Sequence, residues 1–142
     1  MPMLRRLLEL LRLSHPARAD AALHGDARKV LGDLGEAAAA EYLKKRGCRI
    51  LKRKYVYRRG DIDIIALDGE QICFVEVKTR RPDAPLSPDR TVTSAKRRKI
   101  RHLARHYLTS NDLRDRVCRF DIISITYPME GMPQIEHIPH AF

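Results

Sequence analysis

Three residues near the middle of the chain have types and spacing suited to metal-assisted phosphate chemistry: Asp63, then Glu76 and Lys78 with one residue between them. Paired carboxylates offer oxygen-only ligands, which suit a hard cation such as Mg²⁺ or Mn²⁺, and a cation held there can stabilise charge building up on a phosphate under attack. A lysine alongside can position or deprotonate the attacking water. The one-residue gap matters. Side chains alternate along a strand, so Glu76 and Lys78 leave the same face, whereas one more residue between them would send the lysine to the other side.

The surrounding elements must bring these groups together. Residues 61–67 and 71–79 are rich in β-branched and apolar residues and are joined by Asp68-Gly69, a dipeptide suited to a type I′ hairpin turn. A two-residue turn at that dipeptide sets Leu67 opposite Glu70, Asp63 opposite Phe74 and Asp61 opposite Glu76. Asp61, Asp63, Ile65, Ile72, Phe74, Glu76 and Lys78 then share one face, and Ile62, Ile64, Cys73, Val75 and Val77 share the other. Both faces carry large apolar residues, which places the hairpin centrally in a sheet. Asp63 is the diagonal neighbour of Glu76, about 7 to 8 Å away between backbones, while Asp61 is directly opposite. A single β-bulge would change which acid converges with Glu76, so geometry leaves both open. The simpler alternative is a structural Glu76–Lys78 ion pair at a sheet edge. The apolar setting of Phe74-Val-Glu-Val-Lys78 and the acids across the hairpin favour a site.

Around the hairpin, Asp33-Leu-Gly-Glu36 has the form of a capping box for a helix over 37–46 closed by Gly47, with an apolar stripe of Leu34, Ala38 and Tyr42. A strand follows over 49–57. Further on, Thr93 or Ser94 caps a helix with the apolar stripe Ile100, Leu103, Ala104, Tyr107 and Leu108. Its other faces carry Lys96, Arg97, Arg98, Lys99, Arg101 and Arg105, candidates for backbone-phosphate contacts whose affinity falls with salt and which carry little sequence information. Lys96 shares the stripe of Ile100 and Leu103 and is expected to face the site, whereas His102 and His106 read as helix surface. Pro82, Pro85 and Pro88 make residues 80–92 a loop, and strands over 117–127 and 135–138 complete the order αβββαββ. The fold class is α/β, a mixed sheet between helices.

The chain has 142 residues and a formal charge of +10, enough for one domain with its own core and a bias toward a polyanionic partner, nucleic acid or an anionic membrane surface. Residues 1–25 read as an extension and residues 26–142 as the domain. Leu4, Leu7, Leu8 and Leu11 allow a short amphipathic helix in that extension, the only basis for a membrane-surface adaptor. Cys48, Cys73 and Cys118 form no C-x-x-C pair and read as reduced, buried thiols of a cytoplasmic protein. No apolar run is long enough to span a bilayer.

Gly35-Glu36-Ala-Ala, Gly60-Asp-Ile-Asp-Ile-Ile65, Phe74-Val-Glu-Val-Lys-Thr-Arg80, Arg119-Phe-Asp121 and His140-Ala-Phe142 together resemble the YraN family. The resemblance implies a restriction-endonuclease-like αβββαβ core of the PD-(D/E)xK superfamily, similar to Holliday-junction resolvases. It implies a Mg²⁺- or Mn²⁺-dependent endonuclease acting on DNA, by analogy branched DNA, working as a symmetric homodimer. Carried onto this chain, the family's acid falls on Asp63 and its Glu-x-Lys on Glu76 and Lys78, with the Val77 carbonyl as a further metal ligand. Glu36 matches an acid such folds carry on their first helix, although it also completes the capping box. Lys96, Arg97, Arg98, Lys99 and Arg80 are the expected nucleic-acid contacts. The sequence departs from the family at Asp61, where Glu is more usual, and in the basic run 52–59. The competing reading is a non-catalytic nucleic-acid-binding protein that keeps the nuclease fold.

Overall fold

A computed structural model of the chain describes residues 5–6, 20–81 and 92–142, and of residues 20–24 the backbone alone. The element order is α1 (Asp20–Lys45), β1 (Arg49–Tyr57), β2 (Gly60–Asp68), β3 (Gln71–Arg80), α2 (Ser94–Ser110), β4 (Cys118–Thr126) and β5 (Gln134–Ile138). The strands form one sheet in chain order. β3 and β4 run parallel and every other neighbouring pair is antiparallel. This five-stranded mixed sheet with helices on both faces is α/β and compatible with a restriction-endonuclease-like αβββαβ core.

Each face of the sheet buries its own cluster. On one side Ala39, Ala40 and Leu43 of α1 pack with Ile64, Cys73, Val75, Ile123 and Ile125. On the other, Ile100, Leu103, Ala104 and Tyr107 of α2 pack with Ile65, Ile72, Phe74 and Ile122. The strands between them are apolar on both faces, as a doubly covered sheet requires.

The first helix corrects one expectation. It does not begin at Asp33: Ala27 and Leu31, six and two residues earlier, are already buried against the α1-side core, so the apolar face continues through the supposed cap. Asp33 and Glu36 are therefore helix-interior residues, and Asp33 Oδ1 accepts instead from Lys54 Nζ at 2.6 Å. The C-terminal end is as expected. Gly47 takes φ +90, its N–H donates to the Lys44 carbonyl, and that of Cys48 donates to the Leu43 carbonyl, the paired bonds of a Schellman ending.

The hairpin register is the second correction. Asp68 pairs with Gln71 and Leu67 with Ile72, so the turn residues are Gly69-Glu70, not Asp68-Gly69. Gly69 has φ +59 while Glu70 is absent from the positive-φ positions, which is the II′ pattern with glycine first. The turn moves by one residue and each cross-strand partner by two, which keeps the face assignment of most side chains but brings Asp63 level with Glu76.

Thr93 caps α2, its hydroxyl accepting from Lys96 N at 3.2 Å. The loop with Pro82, Pro85 and Pro88 lies outside the described residues. So does the expected amphipathic helix, apart from Arg5 and Arg6. Among the described residues no helix is long and apolar enough to cross a membrane.

Candidate active site

The backbone ladder between β2 and β3 ends at Ile64–Val75, one step short of Asp63 and Glu76. Beyond it the strand alternation breaks. Ile62 belongs to the α2-side cluster and Ile64 to the α1-side cluster, so Ile62 is not on the face its spacing implied. Level with this break on β1, Lys54 adopts φ +50, a left-handed conformation uncommon for a side-chain-bearing residue. The distortion re-aims Asp63, whose Oδ2 accepts the Val77 backbone N–H at 2.8 Å in place of a ladder carbonyl. Asp63 is thus the acid that converges with Glu76, and Asp61 is left exposed.

Glu76 is 7 % exposed and continues the face of Ile72 and Phe74. Two ammonium groups approach the same carboxylate oxygen: Lys96 Nζ lies 3.3 Å and Lys78 Nζ 3.7 Å from Oε1. Lys78 comes from the same strand. Lys96 reaches over from the first turn of α2.

Glu36 approaches from the opposite side of the sheet, on α1. Gly35 makes this possible, because a Cβ there would overlap the Thr79 hydroxyl, so only glycine lets α1 sit this close to the end of β3. Lys54 Nζ is 3.9 Å from Glu36 Oε2, and that oxygen is buried without a hydrogen-bond partner.

Asp63 holds its proton more tightly than an ordinary carboxylate. Burial, then the Glu76 charge, with smaller contributions from Glu36 and Asp61, push Asp63 up to about 7 against the opposing Val77 N–H. Glu36 is raised chiefly by burial, with Lys54 opposing. For Lys96, burial alone would lower the value, but the charge and hydrogen bond of Glu76 outweigh it and the net shift is upward.

Three carboxylates, Glu36, Asp63 and Glu76, gather at this end of the sheet with Lys54, Lys78 and Lys96 around them, a set from which a hard divalent cation could draw oxygen ligands. Among the described residues no three Asp, Glu, His or Cys groups form a ready ligand set. Asp63 and Glu76, with the Val77 carbonyl and water, nevertheless match the small carboxylate number that Mg²⁺ commonly takes from protein. Glu36 Oε2, which accepts no hydrogen bond, is a further acceptor on the α1 side.

The expected nucleic-acid contacts separate into two groups. Arg98 and Lys99 are exposed on α2, and the Lys99 stem runs beside Gly60 at the start of β2. Arg80, half-buried, ends β3 two residues beyond Lys78. Arg97 turns inward: its Nε donates to the Val92 carbonyl at 2.8 Å and its guanidinium covers the Phe142 ring. Its side chain therefore tethers the chain before α2 and the terminal phenylalanine.

Two features escaped the sequence reading. Lys54 pairs with both Asp33 and Glu36, a link across 21 residues from Asp33 that a basic run cannot announce. Asp121 on β4, fully buried, accepts from Arg119 Nε at 3.1 Å, His137 Nε2 at 2.8 Å and His140 N at 3.2 Å. Arg119 also reaches Asp68 at 3.0 Å. The Arg119-Phe-Asp121 motif marked the place without revealing its partners.

With this geometry in hand, the model of the uncharacterised protein family UPF0102 matches residues 35–125. The chain belongs to UPF0102, the YraN family. A UPF0102 protein of Pelotomaculum thermopropionicum is 41% identical over 118 residues, 82% of this chain and 98% of its own. Others come from Geobacter metallireducens, 47% identical over 114 residues (80% and 93% of the two chains), and Trichlorobacter lovleyi, 44% over 121 residues (84% and 95%). The UPF0102 match starts at Gly35 and so includes Glu36, Asp63, Glu76, Lys78, Lys96 and Asp121.

Proposed function

We propose that this chain is a metal-dependent endonuclease that hydrolyses DNA phosphodiester bonds, with Asp63 and Glu76 as cation ligands and Lys78 at the attacking water. The observation that carries the reading is the convergence at the end of the β2–β3 ladder. Asp63 is turned into the gap between strands beside a buried Glu76, with Lys78 Nζ 3.7 Å from Glu76 Oε1.

A bound Mg²⁺ or Mn²⁺ would supply Lewis-acid stabilisation of phosphate charge. The residues of the chain do the rest. The Val77 N–H fixes the direction of the Asp63 carboxylate, and its carbonyl is available as a further ligand. Glu36, backed by Lys54, adds negative charge on the α1 side. The Lys78 side chain, 38% exposed, is open enough for its ammonium to orient a water. Arg98 and Lys99 lie where they can hold backbone phosphates, and Arg80 extends that reach along β3. Branched DNA as substrate and a symmetric homodimer as the working form rest on the motifs shared with resolvases alone. A reducing, cytoplasmic setting suits Cys48, Cys73 and Cys118, all free thiols.

One observation favours a non-catalytic DNA-binding protein instead: two lysines already neutralise Glu76, which makes a self-contained ion cluster. Cleavage of labelled duplex, single-stranded, flap and four-way-junction DNA with Mg²⁺, Mn²⁺ or EDTA separates the two. Metal-dependent cutting lost in Glu76→Ala and Lys78→Ala, with DNA binding kept, supports the nuclease. Equal binding without cutting in all three proteins supports the alternative.

A further inference from the structure

Two lysines converge on one oxygen of Glu76, and they are not equivalent. Lys78 is tied to the strand two residues from Glu76, so its stem has little freedom to leave the site face. Lys96 makes the closer approach, 3.3 Å against 3.7 Å, but it stands on the exposed first turn of α2 beside Arg98 and Lys99. Its side chain is 40% exposed, and its backbone is held by the Thr93 cap rather than by the ion pair. An ammonium on a long flexible stem can exchange one anion for another without moving the helix that carries it.

A divalent cation on the Glu76 carboxylate would sit within a few ångströms of the Lys96 ammonium, 3.3 Å from Oε1, and two like charges that close oppose one another. A backbone phosphate lying across the start of α2 offers Lys96 a second anion to pair with. We propose that Lys96 is a displaceable counter-ion: it holds the Glu76 carboxylate against divalent cations until a nucleic-acid phosphate draws it away, so that cation and DNA each strengthen the binding of the other. This rests on the metal-site reading above and adds an order of events to it. By linkage the effect is reciprocal: a variant without the ammonium has part of the gain already and responds less to DNA.

The test is calorimetric titration of Mn²⁺ into the full chain, without DNA and then with a duplex bearing non-hydrolysable linkages, for wild type, Lys96→Gln, Lys96→Arg and Glu76→Gln. Thermal melts check that each variant is folded. Without DNA, Lys96→Gln is expected to bind Mn²⁺ about tenfold more tightly than wild type, within the usual range of such couplings. Lys96→Arg, which keeps the charge, should stay near wild type. DNA should tighten Mn²⁺ binding to wild type and do so much less in Lys96→Gln. A Lys96 that merely braces the fold would lower thermal stability without raising metal affinity. If wild type binds Mn²⁺, Glu76→Gln does not, and Lys96→Gln gains nothing, the counter-ion proposal is overturned while the metal site stands. If neither wild type nor Lys96→Gln binds Mn²⁺, the metal site itself falls and the proposal with it.

Discussion

Asp121 and Asp63 are acids of the same sheet that their surroundings treat in opposite ways. Burial alone would raise the Asp121 carboxyl, but hydrogen bonds from His137 and Arg119, the Arg119 charge and the His140 N–H together hold it below its ordinary value. Asp63 has the Val77 N–H set against burial and the charges of Glu76, Glu36 and Asp61, and rises to about 7. A buried carboxylate surrounded by donors stabilises the arrangement that surrounds it. One packed among other acids stays in place because the rest of the fold holds it, which is the condition expected of a ligand-binding group.

The largest effect should come from breaking the satisfied side. Asp121→Ala leaves Arg119 and His137 without their shared acceptor and is expected to destabilise the fold by about 3–5 kcal/mol in urea unfolding. A stability near wild type would remove the contrast. On the other side, Glu76→Gln and Asp63→Asn should reduce metal-dependent cleavage by about 10²-fold or more while the fold persists. Retained activity in either would place the chemistry elsewhere.

The two acids should also differ in sign with pH. Asp63 has a folded-state pKa above its unfolded value of 3.8, so the folded chain holds more protons between about pH 4 and 7 and its contribution to stability falls as pH rises through that window. Asp63→Asn, which keeps an acceptor for Val77, should be more stable than wild type at pH 8 and indistinguishable near pH 4. Asp121 is lowered, so its contribution is present above 3.8 and is lost as pH falls further. Melts across pH check both signs.

Gly35→Ala tests the approach of α1. The added methyl favours helix by about 1 kcal/mol, yet here it meets Thr79, so a net loss of about 1 kcal/mol is expected. The smallest effect belongs to the exposed lysine and arginine. In Arg98→Ala/Lys99→Ala, the slope of log binding constant against log salt should become shallower by about 0.9 per lost phosphate contact.

Much of this was legible because the alternation of residues 61–79 is strong and both faces are apolar. The strands, the second helix with its Thr93 cap, and the inward aim of Lys96 all follow from local periodicity. The turn was misplaced because Asp68-Gly69 satisfies one turn type and Gly69-Glu70 another, and only packing of both faces chooses between them. The start of α1 was misplaced because Asp33 and Glu36 fit a cap as well as they fit a partner on a neighbouring strand. Lys54 and the donors around Asp121 were invisible because their contacts join distant parts of the chain, which periodicity does not encode.

The order of strands also bears on how the site comes into being. β1, β2 and β3 are consecutive neighbours joined by two-residue turns, whereas β4 pairs with β3 only after the chain has passed through α2. Contacts close in sequence form sooner than those that must close a long loop. The carboxylates of Asp63 and Glu76 therefore meet within the early meander, and Lys96 arrives with the later docking of α2. The two carboxylates and Lys78 come from neighbouring strands close in sequence and Lys96 from further along the chain, so the site is complete only once α2 has packed on the sheet.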